Sequence, residues 1–343
     1  MGTRRRRVSV IRIRSKPVKW DDLRMEFISK CTADTISNAA HALIDGHLVA
    51  FPTETVYGLG ADATNEKAVS RIYSVKGRPT DHPLIVHISS INRLEDWATD
   101  IPDYAIKLAR EFWPGPMTLI LPRTGLAKDF ITGGQNNVGL RVPDQPIALS
   151  LLKKFEEMGG EGVAAPSANR FGAVSPTTAD AVNEELSSFF GQEDLVLDGG
   201  PCEIGLESTI IDCTGIAPFM LRPGAITKGM IGTVTGSMAS NTEEGAVIRA
   251  PGMLKSHYSP KAKVAINSVT KPGEGFIALS SVPTPNGALR LGSVDSTEQF
   301  ARDIYELLRI GDAKGLSKIS IILPTTGDLS DAIKDRMTKA SIG

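Results

Sequence analysis

Val49-Ala50-Phe51-Pro52-Thr53-Glu54-Thr55-Val56-Tyr57-Gly58-Leu59-Gly60 reads as an apolar strand entering a proline-started, hydroxyl-rich turn and leaving through a Gly-x-Gly bend. Further along come Lys76-Gly77-Arg78 and His82-Pro83-Leu84. This order supplies a pocket floor first and anion-binding groups second. Pro79 and Pro83 stiffen the loop, so both cations are expected on irregular backbone, as a phosphate or carboxylate clamp requires.

Outward from this stretch, residues 33–47 place Ile36, Ala39, Ala40, Leu43 and Ile44 on one helical face and stop at Gly46. Residues 48–51 form a buried strand. Helices are predicted over 63–73, 103–112, 147–158 and 178–190, and strands over 84–88, 117–122, 137–142, 163–165, 195–197, 208–212 and 220–222. Trp113-Pro114-Gly115-Pro116 forbids continuation of the helix before it. Strands mixed with helices, without strict alternation, predict an α/β domain on a twisted, mixed, partly antiparallel sheet. Residues 229–241 are small and polar, a linker composition. Beyond them, strands at 263–266, 275–279 and 319–323 alternate with helices at 297–310 and 329–340, which predicts a minimal doubly wound unit. The expected division is a first domain over 1–230, a linker over 231–262 and a small second domain over 263–343.

A chain of 343 residues, 41% hydrophobic and 22% charged, has the composition of a globular protein and the length for two domains. Its formal net charge of -1 gives no general attraction to polyanions, so any RNA contact needs a local patch. Cys31, Cys202 and Cys213 are far apart and form neither a zinc spacing nor a disulfide framework, which fits a reducing compartment. No apolar run reaches bilayer length. The start, with Arg4 to Arg7 and no acid before Asp21, resembles a transit peptide in composition. However, residues 8–14 alternate with period two, as a basic edge strand would. The expected localisation is cytoplasmic, with mitochondrial targeting as the alternative.

No GxxxxGK[ST] loop, strand-borne GxGxxG, HExxH or GxSxG motif is present. What remains is a set of polar groups at strand ends. Ser167 and Asn169 follow a buried strand, where open α/β sheets commonly bind ligands. Arg141 lies between Leu140 and Val142 and must reach solvent or an anion, because burying it unpaired is costly. The segments from Gly205 to Asp212 and from Leu221 to Gly224 repeat the theme with Ser208 and Arg222. Taken singly, each has an ordinary reading as a turn, cap or core residue. Together they bring Lys76, Arg141, Arg222 and several hydroxyls to one sheet edge.

The segments FPTETVYGLGADA, KGRPTDHPLIVHI, WPGPMTLIL, VGLRVP, AAPSANRFGAVSPT, DGG, GLESTIID and LRPGAIT, in this order over about residues 33–230, resemble the threonylcarbamoyl-AMP synthase family. The stretch from Ala250 to Pro260 resembles the linker of its two-domain members, in which a YrdC-like catalytic domain precedes a small Rossmann-like domain. The resemblance implies a concave, basic cavity. It implies conversion of L-threonine, bicarbonate (or CO2) and ATP to threonylcarbamoyl-adenylate and pyrophosphate, with Mg2+ as the partner of ATP and no tightly bound organic cofactor. The product would serve a downstream threonylcarbamoyl transferase complex acting on tRNA next to the anticodon.

By the same resemblance Lys76 and Arg78 are the catalytic cations. Lys76, Arg78, His82, Asn137, Ser167, Ser175, Arg222, His257 and Tyr258 are expected around ATP, and Thr55, His87, Arg141, Ala165 and Ser208 around threonine. No metal-ligand set is expected. His257 and Tyr258 would lie across the cavity mouth or belong to a plain interdomain tether. Two competing readings are an RNA-binding module using the basic surface on tRNA or double-stranded RNA, and a related carbamoyl-transfer domain that takes no threonine.

Overall fold

Thr32 and Thr35 cap the first helix reciprocally, the Thr35 amide donating to Thr32 Oγ1 (3.2 Å) and the Thr32 amide to Thr35 Oγ1 (2.8 Å). The structure is a computed structural model that describes residues 27–236 and 256–343. The Arg-rich start and the linker residues 237–255 lie outside the described residues. In chain order the elements begin with β1 (Ile28–Lys30), α1 (Ala33–Ile44), β2 (Val49–Phe51), β3 (Gly58–Asp62), α2 (Glu66–Lys76), β4 (Ile85–His87), α3 (Leu94–Trp97) and α4 (Asp103–Phe112). There follow β5 (Met117–Pro122), α5 (Asp129–Thr132), β6 (Asn137–Arg141), α6 (Pro146–Glu157), β7 (Val163–Ala164) and α7 (Ala179–Leu186). The first unit ends with β8 (Leu195–Asp198), β9 (Thr209–Asp212), β10 (Phe219–Arg222) and α8 (Lys228–Thr235).

These strands form one ten-stranded mixed sheet in the order β1-β8-β2-β3-β7-β4-β6-β5-β9-β10. Its parallel pairs are β1–β8, β8–β2, β4–β6 and β5–β9, and the remaining neighbours are antiparallel. On one face α1 and α6 pack Ala39, Ala40 and Leu43 with Leu151, Leu152 and Phe155 over Phe51, Val163 and Leu197. Each such leucine, fully buried, stabilises the fold by roughly 1.5–3 kcal/mol. A larger core that includes Leu59, Val69, Ile72, Trp97, Leu108, Leu119 and Leu140 joins the other helices to the sheet.

Two expectations are corrected here. The second helix starts at Glu66, because Asn65 caps it by accepting from the Lys67 and Ala68 amides (3.1 and 3.2 Å), and it runs through Lys76. Gly77, at φ 62, is its left-handed cap. Lys76 therefore projects from a rigid last turn, and only Arg78 comes from irregular backbone. The small, polar stretch after residue 228 is also not linker throughout. Thr227 caps α8 through the Met230 amide (3.3 Å), and Ile231 is fully buried in the core, which outweighs the poor helix propensity of Gly229 and Gly232.

The second unit holds β11 (Lys263–Ile266), β12 (Gly275–Ile277), β13 (Leu289–Arg290), α9 (Thr297–Ala313), β14 (Lys318–Ile321) and α10 (Ser330–Ala340). Its sheet, β11-β14-β12-β13, is parallel throughout, as the alternating pattern predicts. Its core does not stop at the domain edge. Val56, Val174, Leu206 and Tyr258 join Phe300, Ile304, Tyr305 and Ile333 in a single apolar cluster. Gly205, at φ 78, lets α9 approach so closely that a Cβ there would sit 2.4 Å from Arg302 Cα. No helix among the described residues is long and apolar enough to cross a membrane.

Candidate active site

The turn between β2 and β3 is tied by one hydroxyl. Thr53 Oγ1 donates to Val56 O (2.6 Å), accepts from the Thr55 and Val56 amides (both 3.2 Å) and meets Thr55 Oγ1 at 2.8 Å. Thr53, Glu54, Thr55 and Val56 are all buried, so this turn is a fixed floor. Beside it, the Leu59 amide donates to Pro166 O and the Ala168 amide to Tyr57 O (2.8 Å each), which docks the strand-end segment carrying Ala165, Ser167 and Asn169.

His87 and Arg141 are register partners at the carboxyl ends of the parallel strands β4 and β6. Ser208 precedes β9, and Arg222 ends β10. The cavity is thus built where open sheets leave room for ligands. It is lined by Thr53, Thr55, Tyr57, Lys76, Arg78, His87, Arg141, Ala165, Ser167, Asn169, Phe171, Glu207, Ser208, Arg222, His257 and Tyr258, among others.

The cations are deeply placed. Lys76 Nζ donates to Ser167 O (2.6 Å) and Asn169 O (2.5 Å), which leaves one of its three N–H groups for a ligand. Burial and the neighbouring Arg78 push its pKa well below the usual lysine value, so a bound anion would restore what desolvation removes. Arg78 is pushed down by burial to about 10 and stays cationic at neutral pH; its Nη2 donates to Pro83 O (2.9 Å) and its guanidinium lies 5.8 Å from the centre of the Phe171 ring. Arg222 Nε donates to Ser208 O (2.9 Å) and its Nη2 to Ser208 Oγ (3.1 Å), while that hydroxyl meets Thr118 Oγ1 at 2.8 Å.

Burial, reinforced by Arg141, drives His87 down to about 3. Burial also drives His257 to about 3, so both imidazoles are neutral at pH 7. Neither Nδ1 has a hydrogen-bond partner among the described residues. Tyr258 is almost fully buried with φ 63, a left-handed conformation that a non-glycine residue rarely adopts. Its hydroxyl is likewise without a partner among the described residues. The Ser259 amide donates to Gly172 O (2.9 Å) and pins this segment across the cavity.

Of the residues singled out in the sequence, Thr55, Lys76, Arg78, His87, Arg141, Ala165, Ser167, Ser208, Arg222, His257 and Tyr258 line one cavity. Three do not. Ser175 is buried behind the wall and donates to Glu207 Oε1 (2.6 Å). His82 packs its ring 5.3 Å from that of Phe171, which itself lines the cavity. Asn137 starts β6 opposite Pro122, four residues and roughly 13 Å from the Arg141 end.

Sequence reasoning missed two acids. Glu54 Oε1 pairs with Arg141 at 2.7 Å, both side chains nearly buried. Glu207 lines the cavity and collects partners from the second domain, and its position beside Ser208 was the only signal for it. Among the described residues no group of three or more His, Cys, Asp or Glu gathers as a metal site.

Known proteins match this chain along nearly its whole described length. A family model described as "Telomere recombination" matches residues 41–224, and one described as "Threonylcarbamoyl-AMP synthase, C-terminal domain" matches 226–341. The threonylcarbamoyl-AMP synthase of Pyrococcus abyssi is 40% identical over 322 residues, covering 88% of this chain and 93% of that protein. That of Bacillus subtilis is 45% identical over 237 residues, 67% of this chain and 66% of its own length. The crystal structure of P. abyssi Sua5 complexed with L-threonine superposes with a TM-score of 0.82 at 37% identity, covering 92% of this chain and 96% of that one. A structure of the same protein with a histidine and a tyrosine replaced by alanine gives 0.83 at 36% identity. With both of its units matched in sequence and the two-domain fold matched in space, the chain belongs to the threonylcarbamoyl-AMP synthase family.

Proposed function

We propose that this chain condenses L-threonine, bicarbonate or CO2 and ATP into L-threonylcarbamoyladenylate and pyrophosphate, with the cavity divided into a triphosphate half and an amino-acid half. The carrying observation is that three buried cations, Lys76, Arg78 and Arg222, share one cavity with Thr55, His87, Arg141 and Ser208. Threonine's amine adds to bicarbonate with loss of water. A carboxylate oxygen of the resulting carbamate then attacks the α-phosphorus, and pyrophosphate leaves.

Every step gathers negative charge, so fixed cations in a water-poor site are the chief catalytic need. Lys76 and Arg78 hold the phosphates and the attacking carboxylate, with Arg222 alongside. Ser167, His257 and Tyr258 meet the nucleotide. Arg141, oriented by Glu54, takes the carboxylate of threonine, and Thr55, His87, Ala165 and Ser208 surround the rest of it. Mg2+ accompanies ATP and neutralises part of the triphosphate charge. The adenylate passes to a transferase that modifies tRNA.

The test is pyrophosphate release from ATP and bicarbonate with each amino acid in turn. Release only with threonine is expected. Release that does not depend on threonine would favour the carbamoyl-transfer reading, and no release at all the RNA-binding one.

A further inference from the structure

Glu207 is a buried acid in the cavity wall with four side-chain hydrogen bonds. Its Oε1 accepts from Ser175 Oγ (2.6 Å) and Tyr305 OH (3.2 Å), and its Oε2 from Tyr305 OH (3.1 Å) and Arg336 Nε (2.8 Å). Arg336, fully buried on α10, also donates from Nη2 to Glu207 O (3.2 Å) and Pro223 O (3.0 Å), and from Nη1 to Asp335 (2.5 Å). Tyr305 stands on α9 and is fully buried. Both side chains belong to the second domain, while Glu207 lines the cavity of the first.

Three cavity residues converge on this pair. Ser208, which Arg222 grips, follows Glu207 in the chain. Pro223, anchored by Arg336, follows Arg222. Tyr258 stacks on Tyr305 (ring centroids 5.9 Å apart, planes 22° apart), and the Arg336 guanidinium lies 5.5 Å from its ring centre. A carboxylate in the wall of a phosphate cavity opposes phosphate binding unless its charge is matched from behind. Arg336 and Tyr305 match it: burial alone would raise the Glu207 pKa, but the charges of Arg336 and Arg222 and the hydrogen bonds from Ser175 and Arg336 outweigh it and lower it to about 2, which leaves the carboxylate ionised.

We infer that Arg336 and Tyr305 of the second domain are positioning residues for the triphosphate half of the cavity, turning the Glu207 carboxylate away from the phosphates while holding Arg222 and Tyr258 in place. The inference rests on the division of the cavity proposed above. It makes the second domain part of the ATP site and predicts that ATP and threonine respond differently to its loss. Among the described residues, Thr55, His87 and Arg141, which form the amino-acid end, make no hydrogen bond, ion pair or ring contact with either side chain.

The experiment uses the full chain with the substitutions Arg336→Lys, Arg336→Gln and Tyr305→Phe, and the pair Glu207→Gln with Arg336→Gln. KM for ATP and kcat come from pyrophosphate release, and threonine affinity from calorimetry without ATP. Threonine-dependent release by the unaltered chain first establishes the underlying reading; without it, that reading fails. Arg336→Gln should raise KM for ATP at least tenfold and move threonine affinity less than threefold. Arg336→Lys should recover part of the loss, and Tyr305→Phe should raise KM for ATP about threefold. The paired substitution, which removes the carboxylate as well, should bind ATP better than Arg336→Gln alone. If Arg336→Gln does not fold, Tyr305→Phe and Arg336→Lys decide the matter. Equal losses for ATP and threonine, an unchanged KM for ATP in variants that fold, or a paired variant no better than the single one would overturn the inference.

Discussion

Replacing Lys76 by methionine keeps the buried stem and deletes the ammonium. One N–H of Lys76 is left for a phosphate oxygen, and a charge-assisted hydrogen bond contributes about 1.5–3 kcal/mol. A unit charge pair about 4 Å apart, at an effective dielectric constant near 20, is of similar size, about 4 kcal/mol. Taking about 3–4 kcal/mol for the whole contact, kcat/KM for ATP should fall about 10²–10³-fold.

Stability should respond differently. The carbonyls of Ser167 and Asn169 lose a donor, at about 1–3 kcal/mol each if nothing replaces it. Against this, burial disfavours the ammonium form of Lys76, so its removal relieves a desolvation cost. The two effects oppose, and the melting temperature should move by only a few degrees. Pyrophosphate release at varied ATP with saturating threonine and bicarbonate, beside a circular-dichroism melt, measures both. A loss of kcat/KM below tenfold would refute the reasoning, as would a melting temperature some 15 °C lower, because Lys76 would then be structural.

The remaining predictions concern pH, the domain contact and the amino-acid end. His87 and His257, held near pKa 3 in the fold against 6.5 unfolded, contribute stability that is complete above pH 6.5 and lost as pH falls from 6.5 towards 3. Each adds up to about 1.4 kcal/mol per pH unit to that slope, so His87→Asn should flatten urea-unfolding stability between pH 6 and 4, and an unchanged slope would count against the assignment. Gly205→Ala would drive a Cβ into the backbone of α9 at a residue with φ 78, and calorimetric melting should show a loss of about 1–3 kcal/mol; a melt like that of the unaltered chain would mean the contact is loose. Arg141→Lys gives up the planar geometry that pairs with Glu54 and should raise KM for threonine about tenfold or more while KM for ATP stays within threefold; parallel changes in both would place Arg141 elsewhere.

Much of the catalytic domain was legible because its signals are local. Apolar runs bounded by glycine and proline mark β2, β5 and α4 closely, and most of the polar residues at strand ends line a single cavity. Lys76 falls beyond the helix that the sequence pattern predicts over 63–73; the structure carries α2 about one turn further, to the left-handed cap at Gly77. Asn137 and Arg141 share a five-residue strand, and a sequence pattern cannot say which end opens on the cavity. The small β1 and β13 have too few residues for any period to show. Glu207 was overlooked for a different reason. A glutamate flanked by Leu206 and Ser208 looks like any strand-edge acid, and its meaning comes from Tyr305 and Arg336, which only the packed second domain brings near.

Glu207 and Arg336 are 129 positions apart. A polypeptide is made from its N-terminus, and domains fold in that order, at roughly 5–20 residues per second. The cavity walls named above are complete only once Tyr258 is made, and Arg336 follows 78 residues later, so for roughly 4–16 s a growing chain can possess those walls while Glu207 waits for the last of its distant partners. During that interval the cavity meets ATP with an unmatched negative charge in its wall. On the inference drawn above, synthesis itself would act as a timer, with nucleotide binding strengthening as the second domain arrives.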